Sequence, residues 1–157
     1  MRVYRVAFRG HRRIEQAYGL EDKIEAKVSD LLRSHSFVEF YMGRNGDFDV
    51  SAAAAVKRAQ RKYGTENSSL ILVQAYPSKD DGHFEQYYDE IMRPLDPGTH
   101  FKAALTRRNE WMIDNADFLI SYFLSNLDNG NCLLSDKRKR AGYRYPTLFL
   151  GLFYFIS

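Results

Sequence analysis

The strongest constraint on the fold is an alternation of short apolar segments with longer segments of helical character. The apolar segments have the length of β-strands and occupy residues 3–8, 37–42, 70–76, 118–124 and 146–155. Helical periodicity or helix-favouring composition marks residues 20–34, 51–63, 101–115 and 132–141. Because the strands are apolar throughout, each is expected to be covered on both faces. The pattern predicts an α/β fold, a three-layer sandwich with a mostly parallel sheet of about five strands.

Residues 78–100 interrupt this alternation. The stretch carries prolines, acidic residues and tyrosines, and we predict a long loop with a short helix near residues 87–92. Loops of this length in compact domains are usually functional. A chain of 157 residues has the size of one domain. We therefore expect a single domain over residues 1–157, whose last ~30 residues are divergent or truncated.

Composition narrows the classes of function. The net charge of +3 permits an anionic ligand but does not by itself indicate nucleic acid. Cys132 is the single cysteine, and no Cys/His spacing resembles a zinc site, so we predict neither a metal nor a cofactor. The longest apolar run, 148–156, is shorter than the ~20 residues of a membrane-spanning helix. We expect a cytoplasmic protein without a membrane partner.

Two loops that follow predicted strands carry candidate ligand residues. In a parallel sheet, ligands bind beyond the carboxyl ends of the strands. Gly10, His11 and Arg12 follow the first strand, and they form either a contact to an anionic group or a turn with solvated basic side chains. Both interpretations stay open at this point.

The second loop joins a strand to the alanine-rich helix. It contains Gly43, Asn45, Gly46 and Asp49. A ligand cradle at the start of that helix is one interpretation, and a tight turn with Asp49 or Ser51 as the N-cap residue is the other. The two can coexist. A carboxylate of Asp47 or Asp49 would repel a phosphate, so one of them could accept a ribose hydroxyl instead.

Arg108 is the most informative residue by its spacing. It shares a helix face with Phe101, Ala104, Leu105 and Met112, and that face should pack on the sheet. A guanidinium there is costly unless it meets an anion or hydrogen-bond acceptors. Ligand contact is favoured over a structural ion pair with an aspartate. Asn109 and Asp114 could orient the side chain, and Arg107 is expected to be solvated.

Other residues give weaker signals. The basic run 137–140 is interpreted as a solvated helix face, with nucleic-acid binding as the less favoured alternative. Tyr76, Tyr87 and Tyr88 could stack on a base, or they could anchor the loop that contains them.

Three motifs together resemble a bacterial subfamily of the SLOG superfamily, whose members are Rossmann-like, lysine-decarboxylase-like domains. Gly10-His11-Arg12 resembles an F-x-G-H-R opening, and residues 40–49 resemble F-Y-x-G-x-x-G-x-F-D. Residues 108–112 resemble R-N-x-W-M, followed by an Ala-Asp pair at 116–117. The resemblance covers about residues 3–125. It implies a Rossmann-like fold, a pocket for a nucleotide-like ligand, a bacterial or phage-type origin and a homodimer.

The superfamily also contains phosphoribohydrolases that activate cytokinins and a DNA-processing protein. In the phosphoribohydrolases an arginine at a similar helix position assists catalysis, which would match Arg108. Their following loop reads P-G-G-x-G-T-x-x-E and carries an essential glutamate. Here, residues 128–136 keep one glycine, Gly130, and place Asp136 where the glutamate would be. This departure counts against phosphate binding at that loop and against hydrolase activity.

The leading hypothesis is a binding domain for a nucleotide-derived small molecule at the carboxyl ends of the strands. Its ligand-binding residues are Gly10, His11, Arg12, Gly43, Asn45, Gly46, Asp49, Arg108, Asn109 and Gly130. The alternative is a phosphoribohydrolase-like enzyme that cleaves the N-glycosidic bond of a nucleoside monophosphate, with Arg108 and Asp136 as catalytic residues. A second alternative is single-stranded DNA binding, although nucleic acid is the least favoured partner. The sequence leaves open whether the chain is an enzyme.

Overall fold

The protein is described by a computed structural model that covers residues 2–14, 19–122 and the backbone of strand 147–149. The strands are β1 (Val3–Gly10), β2 (Phe37–Met42), β3 (Ser68–Val73), β4 (Glu90–Met92), β5 (Phe118–Tyr122) and β6 (Thr147–Phe149). The helices are α1 (Leu20–Ser34), α2 (Asp47–Tyr63), α3 (Asp81–Tyr87) and α4 (Phe101–Asp114). No helix in this described part combines the length and the apolarity that crossing a bilayer requires.

The strands form one parallel sheet in the order β4-β3-β2-β1-β5-β6. From β1 the chain builds outward to β4 and then returns through α4 to β5, on the other side of β1. The order of the strands therefore reverses next to β1, and such a switch point is where open α/β sheets bind ligands. The predicted three-layer α/β fold with a mostly parallel sheet is confirmed.

Each central strand is buried on both faces. In β1, Val6 and Phe8 pack in the larger core with α1 and α2, against residues such as Ile24. Ala7 points to the opposite face, where Met112 of α4 belongs to the same core cluster. Alternate residues of one strand thus belong to two cores, which explains why the strands read as continuous apolar runs.

The segment between β3 and α4 differs from the prediction. The predicted helix near residues 87–92 is wrong, because α3 ends at Tyr87 and residues 90–92 form strand β4 beside β3. Asp89 fixes this edge, since its Oδ2 accepts hydrogen bonds from the N–H of Leu70 at 2.7 Å and from Gln60 at 3.1 Å. A strand of three residues carries too little apolar pattern to be recognised in sequence.

The start of α2 also differs from the prediction. The helix begins at Asp47 with Gly46 as the N-cap residue, so neither Asp49 nor Ser51 occupies that position. Asp49 lies in the first turn instead, and its Oδ2 accepts the N–H of Asn45 at 3.1 Å. The predicted stop at Gly64 is confirmed, with a φ of 88° that favours glycine. The predicted turn at 125–131 and helix at 132–141 lie outside the described residues.

Candidate functional site

A cavity of about 210 Å³ lies at the carboxyl ends of β1 and β2, beneath α4. It is lined in part by residues that the sequence analysis predicted to contact a ligand: Gly10, Arg12, Gly43, Asn45, Gly46, Asp49, Arg108 and Asn109. Phe8, Arg9 and Leu105 complete its lining. The fold therefore brings the two strand-end loops and the middle of α4 to one place.

His11 lies beside this cavity and is not among its lining residues. Its backbone N–H donates to the carbonyl of Tyr122 at 3.2 Å, and its ring packs edge-on against the Tyr122 ring at 6.1 Å. His11 thus joins the first loop to the end of β5. Gly130 and Asp136 lie outside the described residues.

Arg108 is a buried cation held by neutral acceptors. It is 5 % exposed, and its Nη1 donates to the carbonyl oxygen of Val73 at 3.0 Å. Its Nε donates to Oδ1 of Asn109 at 2.9 Å, which is the orienting contact predicted from sequence. Among the described residues no carboxylate forms a salt bridge with Arg108. A fixed guanidinium whose charge is not neutralised in contact can attract an anion.

Arg9 is a second cation of the cavity, and the sequence analysis did not single it out. Strand alternation places it on the α4 face of β1, as it does Ala7 two residues earlier. The pKa of Arg9 is lowered to about 10, mainly by burial and to a smaller extent by repulsion from Arg108. The negative charges of Asp49 and Glu110 oppose this shift. Arg9 therefore stays charged at neutral pH. The available signal was an arginine in an otherwise apolar strand, beneath the predicted α4.

Asp49 supplies the carboxylate of the cavity. Burial raises its pKa, and the hydrogen bond from Asn45 and the charges of Arg108 and Arg9 oppose that rise. Arg12 adds a cation at the rim, where its Nε donates to the carbonyl of Asn45 at 3.0 Å. With Arg9, Arg12 and Arg108 against one aspartate, the charged groups that line the cavity favour an anionic ligand.

The glycines of the two loops are sites of close packing within the protein. A Cβ at Gly10 would lie 2.3 Å from Cγ of Phe48, and one at Gly46 would lie 2.4 Å from Cα of Arg12. At Gly43 it would lie 2.3 Å from Nη1 of Arg108. The glycines allow α2, α4 and the first loop to approach the strand ends closely.

The start of α2 binds the first loop through its backbone. The N–H groups of Asp47 and Phe48 donate to the carbonyls of Arg12 at 2.8 Å and His11 at 3.4 Å. Oδ2 of Asp47 accepts the N–H of Ile14 at 2.9 Å. The protein's own carbonyls therefore occupy the two N–H groups expected to cradle an anion. The groups at the cavity that can attract an anion are therefore the guanidinium groups. Of the two aspartates in the first turn of α2, Asp49 lines the cavity, and Asp47 binds the first loop.

The Ala-Asp pair at residues 116–117 lies at the amino ends of the strands, whereas the cavity lies at their carboxyl ends. Asp117 exchanges backbone and side-chain contacts with Arg5 of β1: its N–H donates to the Arg5 carbonyl at 2.8 Å, and its Oδ2 accepts the Arg5 N–H at 3.0 Å. The same carboxylate meets Arg2 at 3.3 Å. Asp117 therefore holds the amino end of β5 against β1, which is a structural role. Within the described ranges, no group of three His, Cys, Asp or Glu residues is arranged to hold a metal ion.

The sheet order and the helix layers define a Rossmann-like α/β domain with a cationic cavity at the carboxyl ends of its strands. The solved structures that are similar to it include the two that follow. DNA processing protein A (DprA) from Streptococcus pneumoniae superposes with a TM-score of 0.64 at 15% identity, over 93% of this chain and 50% of that one. The Moco carrier protein from Chlamydomonas rheinhardtii superposes with a TM-score of 0.51 at 14% identity, over 96% of this chain and 77% of that one.

At these identities the likeness establishes the fold. The chain spans half the length of the DprA chain that it matches. Neither a protein-family model nor a curated protein sequence matches it. The resemblance to one SLOG subfamily remains a prediction. The expectation that nucleic acid is the least favoured partner gains no support, because one similar structure is a DNA processing protein.

Proposed function

We propose that this chain is a binding domain for a nucleotide-related small molecule, whose anionic group lies between Arg9 and Arg108. The observation that carries the proposal is that two largely buried guanidinium groups line one cavity, with Asp49 as its carboxylate. Burial lowers the pKa of both arginines, and repulsion from Arg108 adds to the shift of Arg9. A bound phosphate would relieve this cost by giving both groups an opposite charge and strong acceptors.

The size of the cavity limits which part of the ligand it holds. At about 210 Å³ it is smaller than the ~300–1,000 Å³ of typical small-molecule sites. A phosphate with part of a sugar suits this volume, and the remainder of a nucleotide would extend out of the cavity. Asp49 accepts a sugar hydroxyl in this proposal, because a carboxylate binds a hydroxyl donor and repels a phosphate.

Binding of single-stranded DNA is a second candidate, favoured by the similarity of the fold to a DNA processing protein. The same arginines would then contact one phosphate of a polymer. Binding of a polymer has a strong salt dependence because several phosphates release counterions. A mononucleotide and an oligonucleotide therefore distinguish the two candidates.

The test is calorimetric titration of the protein with AMP, with ribose 5-phosphate and with an oligothymidylate. We expect AMP to bind to the unaltered protein, and Arg108→Met to weaken that binding at least about tenfold, through loss of charge-assisted hydrogen bonds. Arg107→Met is the matched control, since Arg107 is the exposed neighbour on the same helix. Thermal unfolding of both variants checks that they fold.

Three results decide between the candidates. Equal weakening by Arg107→Met and Arg108→Met would contradict the proposed site. Failure of the unaltered protein to bind either small phosphate would contradict the proposed function. Tight binding of the oligonucleotide alone, lost steeply with salt, would favour the DNA candidate.

A further inference from the structure

An exposed aromatic pair stands near the cavity. Phe101, the first residue of α4, is 74 % exposed, and Tyr76 is 46 % exposed. Their ring centroids lie 6.1 Å apart with an interplanar angle of 44°. The sequence predicted that Phe101 packs on the sheet with Arg108, and the structure shows otherwise. Aromatic rings left in solvent as a pair are a more informative feature than single exposed apolar residues.

The direction of α4 explains this exposure. Arg108 in the middle of α4 contacts the carbonyl of Val73, the last residue of β3. Asp117, just after α4, contacts Arg5 at the amino ends of the strands. The helix therefore runs from the carboxyl ends of the strands toward their amino ends. Phe101 comes seven residues before Arg108, so it extends beyond the carboxyl ends of the strands, where none of the described strands covers it.

Both rings are close to the cavity. Leu105 and Arg108 line the cavity, and they follow Phe101 by four and seven residues on one face of α4. At 1.5 Å of rise per residue, Phe101 lies roughly 10 Å along the helix axis from Arg108. Tyr76 comes three residues after Val73, and its phenol is near enough to influence the pKa of Arg108.

We propose that Tyr76 and Phe101 form a stacking platform for the nucleobase of the ligand whose phosphate lies between Arg9 and Arg108. This inference rests on the proposed function and deepens it. The cavity is too small for a whole nucleotide, so the planar part of the ligand must lie outside it. The two rings adjoin the helix face on which Leu105 and Arg108 line the cavity, so they offer that planar part an aromatic surface.

The adjoining charge favours this occupant over a second copy of the chain. A face that pairs with another protein would need apolar surface around the two rings, whereas here the neighbouring cavity carries Arg9 and Arg108. Bases stack on aromatic side chains with little dependence on their identity. The proposed ligand class is therefore a nucleoside phosphate with a purine or pyrimidine base, in which the larger purine stacks more strongly.

The test compares AMP with ribose 5-phosphate, which has the same sugar and phosphate without the base. Calorimetric titrations would use the unaltered protein, Phe101→Ala, Tyr76→Ala and, as the control, Tyr63→Ala. Tyr63 is a 40 % exposed aromatic residue at the far end of α2. We expect Phe101→Ala and Tyr76→Ala each to weaken AMP binding about fivefold to a hundredfold. Ribose 5-phosphate binding should be unchanged in all variants.

Each other outcome has a defined meaning. Equal affinities of the unaltered protein for AMP and ribose 5-phosphate would overturn the platform while leaving the phosphate site intact. Unchanged AMP binding in Phe101→Ala and Tyr76→Ala would do the same. A change of oligomeric state in these variants, with AMP binding preserved, would assign the pair to self-association and overturn the inference. Absence of binding of both probes to the unaltered protein would overturn the proposed function, and the inference with it.

Discussion

The guanidinium of Arg108 lies directly against the α-carbon of Gly43, so closely that a single added methyl group would come within 2.3 Å of its Nη1 atom. The same Nη1 donates to the carbonyl of Val73 at 3.0 Å. The position of this buried charge is thus fixed by a glycine of the second loop and by the end of β3. Neither contact depends on a ligand, so the cation is positioned before a ligand arrives.

Gly43→Ala should displace the Arg108 guanidinium and weaken phosphate binding. Because the new methyl group would meet the Arg108 side chain, which its contacts to Val73 and Asn109 hold in place, we expect a loss of roughly 1–3 kcal/mol in the free energy of unfolding. Urea denaturation and titration with ribose 5-phosphate measure the two effects. Gly82→Ala is the control, since a Cβ there would meet nothing within 4 Å. Retention of full phosphate affinity in Gly43→Ala would contradict the contact.

Arg9→Met should stabilise the protein without ligand and weaken anion binding. The folded state lowers the pKa of Arg9 to about 10, well below its ordinary value, so at neutral pH the charge of Arg9 reduces the stability of the folded state. Methionine keeps much of the length and removes the charge. We expect a higher melting temperature together with a lower affinity for ribose 5-phosphate. A lower melting temperature would show that the charge of Arg9 stabilises the fold.

Asp49→Asn should change the pH dependence of stability. Burial raises the pKa of Asp49 above its ordinary 3.8, so the folded state binds this proton more tightly than the unfolded chain does. The resulting stability is complete below pH 3.8 and is lost as the pH rises through the folded-state pKa. Relative to the unaltered protein, Asp49→Asn should therefore gain stability as the pH is raised.

The measurement is the free energy of unfolding of both proteins at several pH values from acidic to neutral. A difference between them that stays constant would contradict the raised pKa. The variant also tests the charge of the cavity, because loss of a carboxylate should strengthen binding of inorganic phosphate.

Asp117→Ala should reduce stability and leave ligand binding unchanged. The carboxylate accepts the N–H of Arg5 at 3.0 Å, at the edge of the sheet away from the cavity. Loss of this contact should cost about 1–2 kcal/mol of unfolding free energy. Arg2 adds little, since its side chain is 84% exposed. Asp114→Ala, an exposed change at the end of α4, is the control. A loss of ribose 5-phosphate binding in Asp117→Ala would contradict this prediction, because it would show that the amino ends of the strands influence the cavity at their carboxyl ends.

Much of the fold could be predicted because both sheet faces are covered. Apolar runs such as 37–42 identify buried strands without reference to their partners. The same reasoning located Arg108, since a cation on the sheet-facing side of a helix conflicts with its apolar neighbours. Strand β4 escaped prediction because its three residues are held by the edge of β3 and by Asp89, contacts that no local pattern encodes.

The parts of the site that were missed depend on how each helix and strand is placed in the fold rather than on which residues it contains. Arg9 faces the cavity because β1 alternates beneath α4, and Phe101 is exposed because α4 begins beyond the sheet. Sequence periodicity predicts which residues share one face of a helix or strand. It does not predict where the element packed against that face ends. Gly10, Gly46 and Gly43 line the cavity, but they make room for Phe48, Arg12 and Arg108, respectively. A sequence cannot distinguish this packing from making room for a ligand.

The use of the α2 N–H groups by the carbonyls of the first loop has an evolutionary consequence. A site that recognises its ligand through backbone amides can change preference only by rebuilding its loops. Here the backbone N–H groups already hold the loops together. In the proposed site, recognition of charge would therefore depend on the side chains at positions 9 and 108. Exchange of one or two residues could therefore redirect this scaffold toward a differently charged molecule while its architecture is inherited intact.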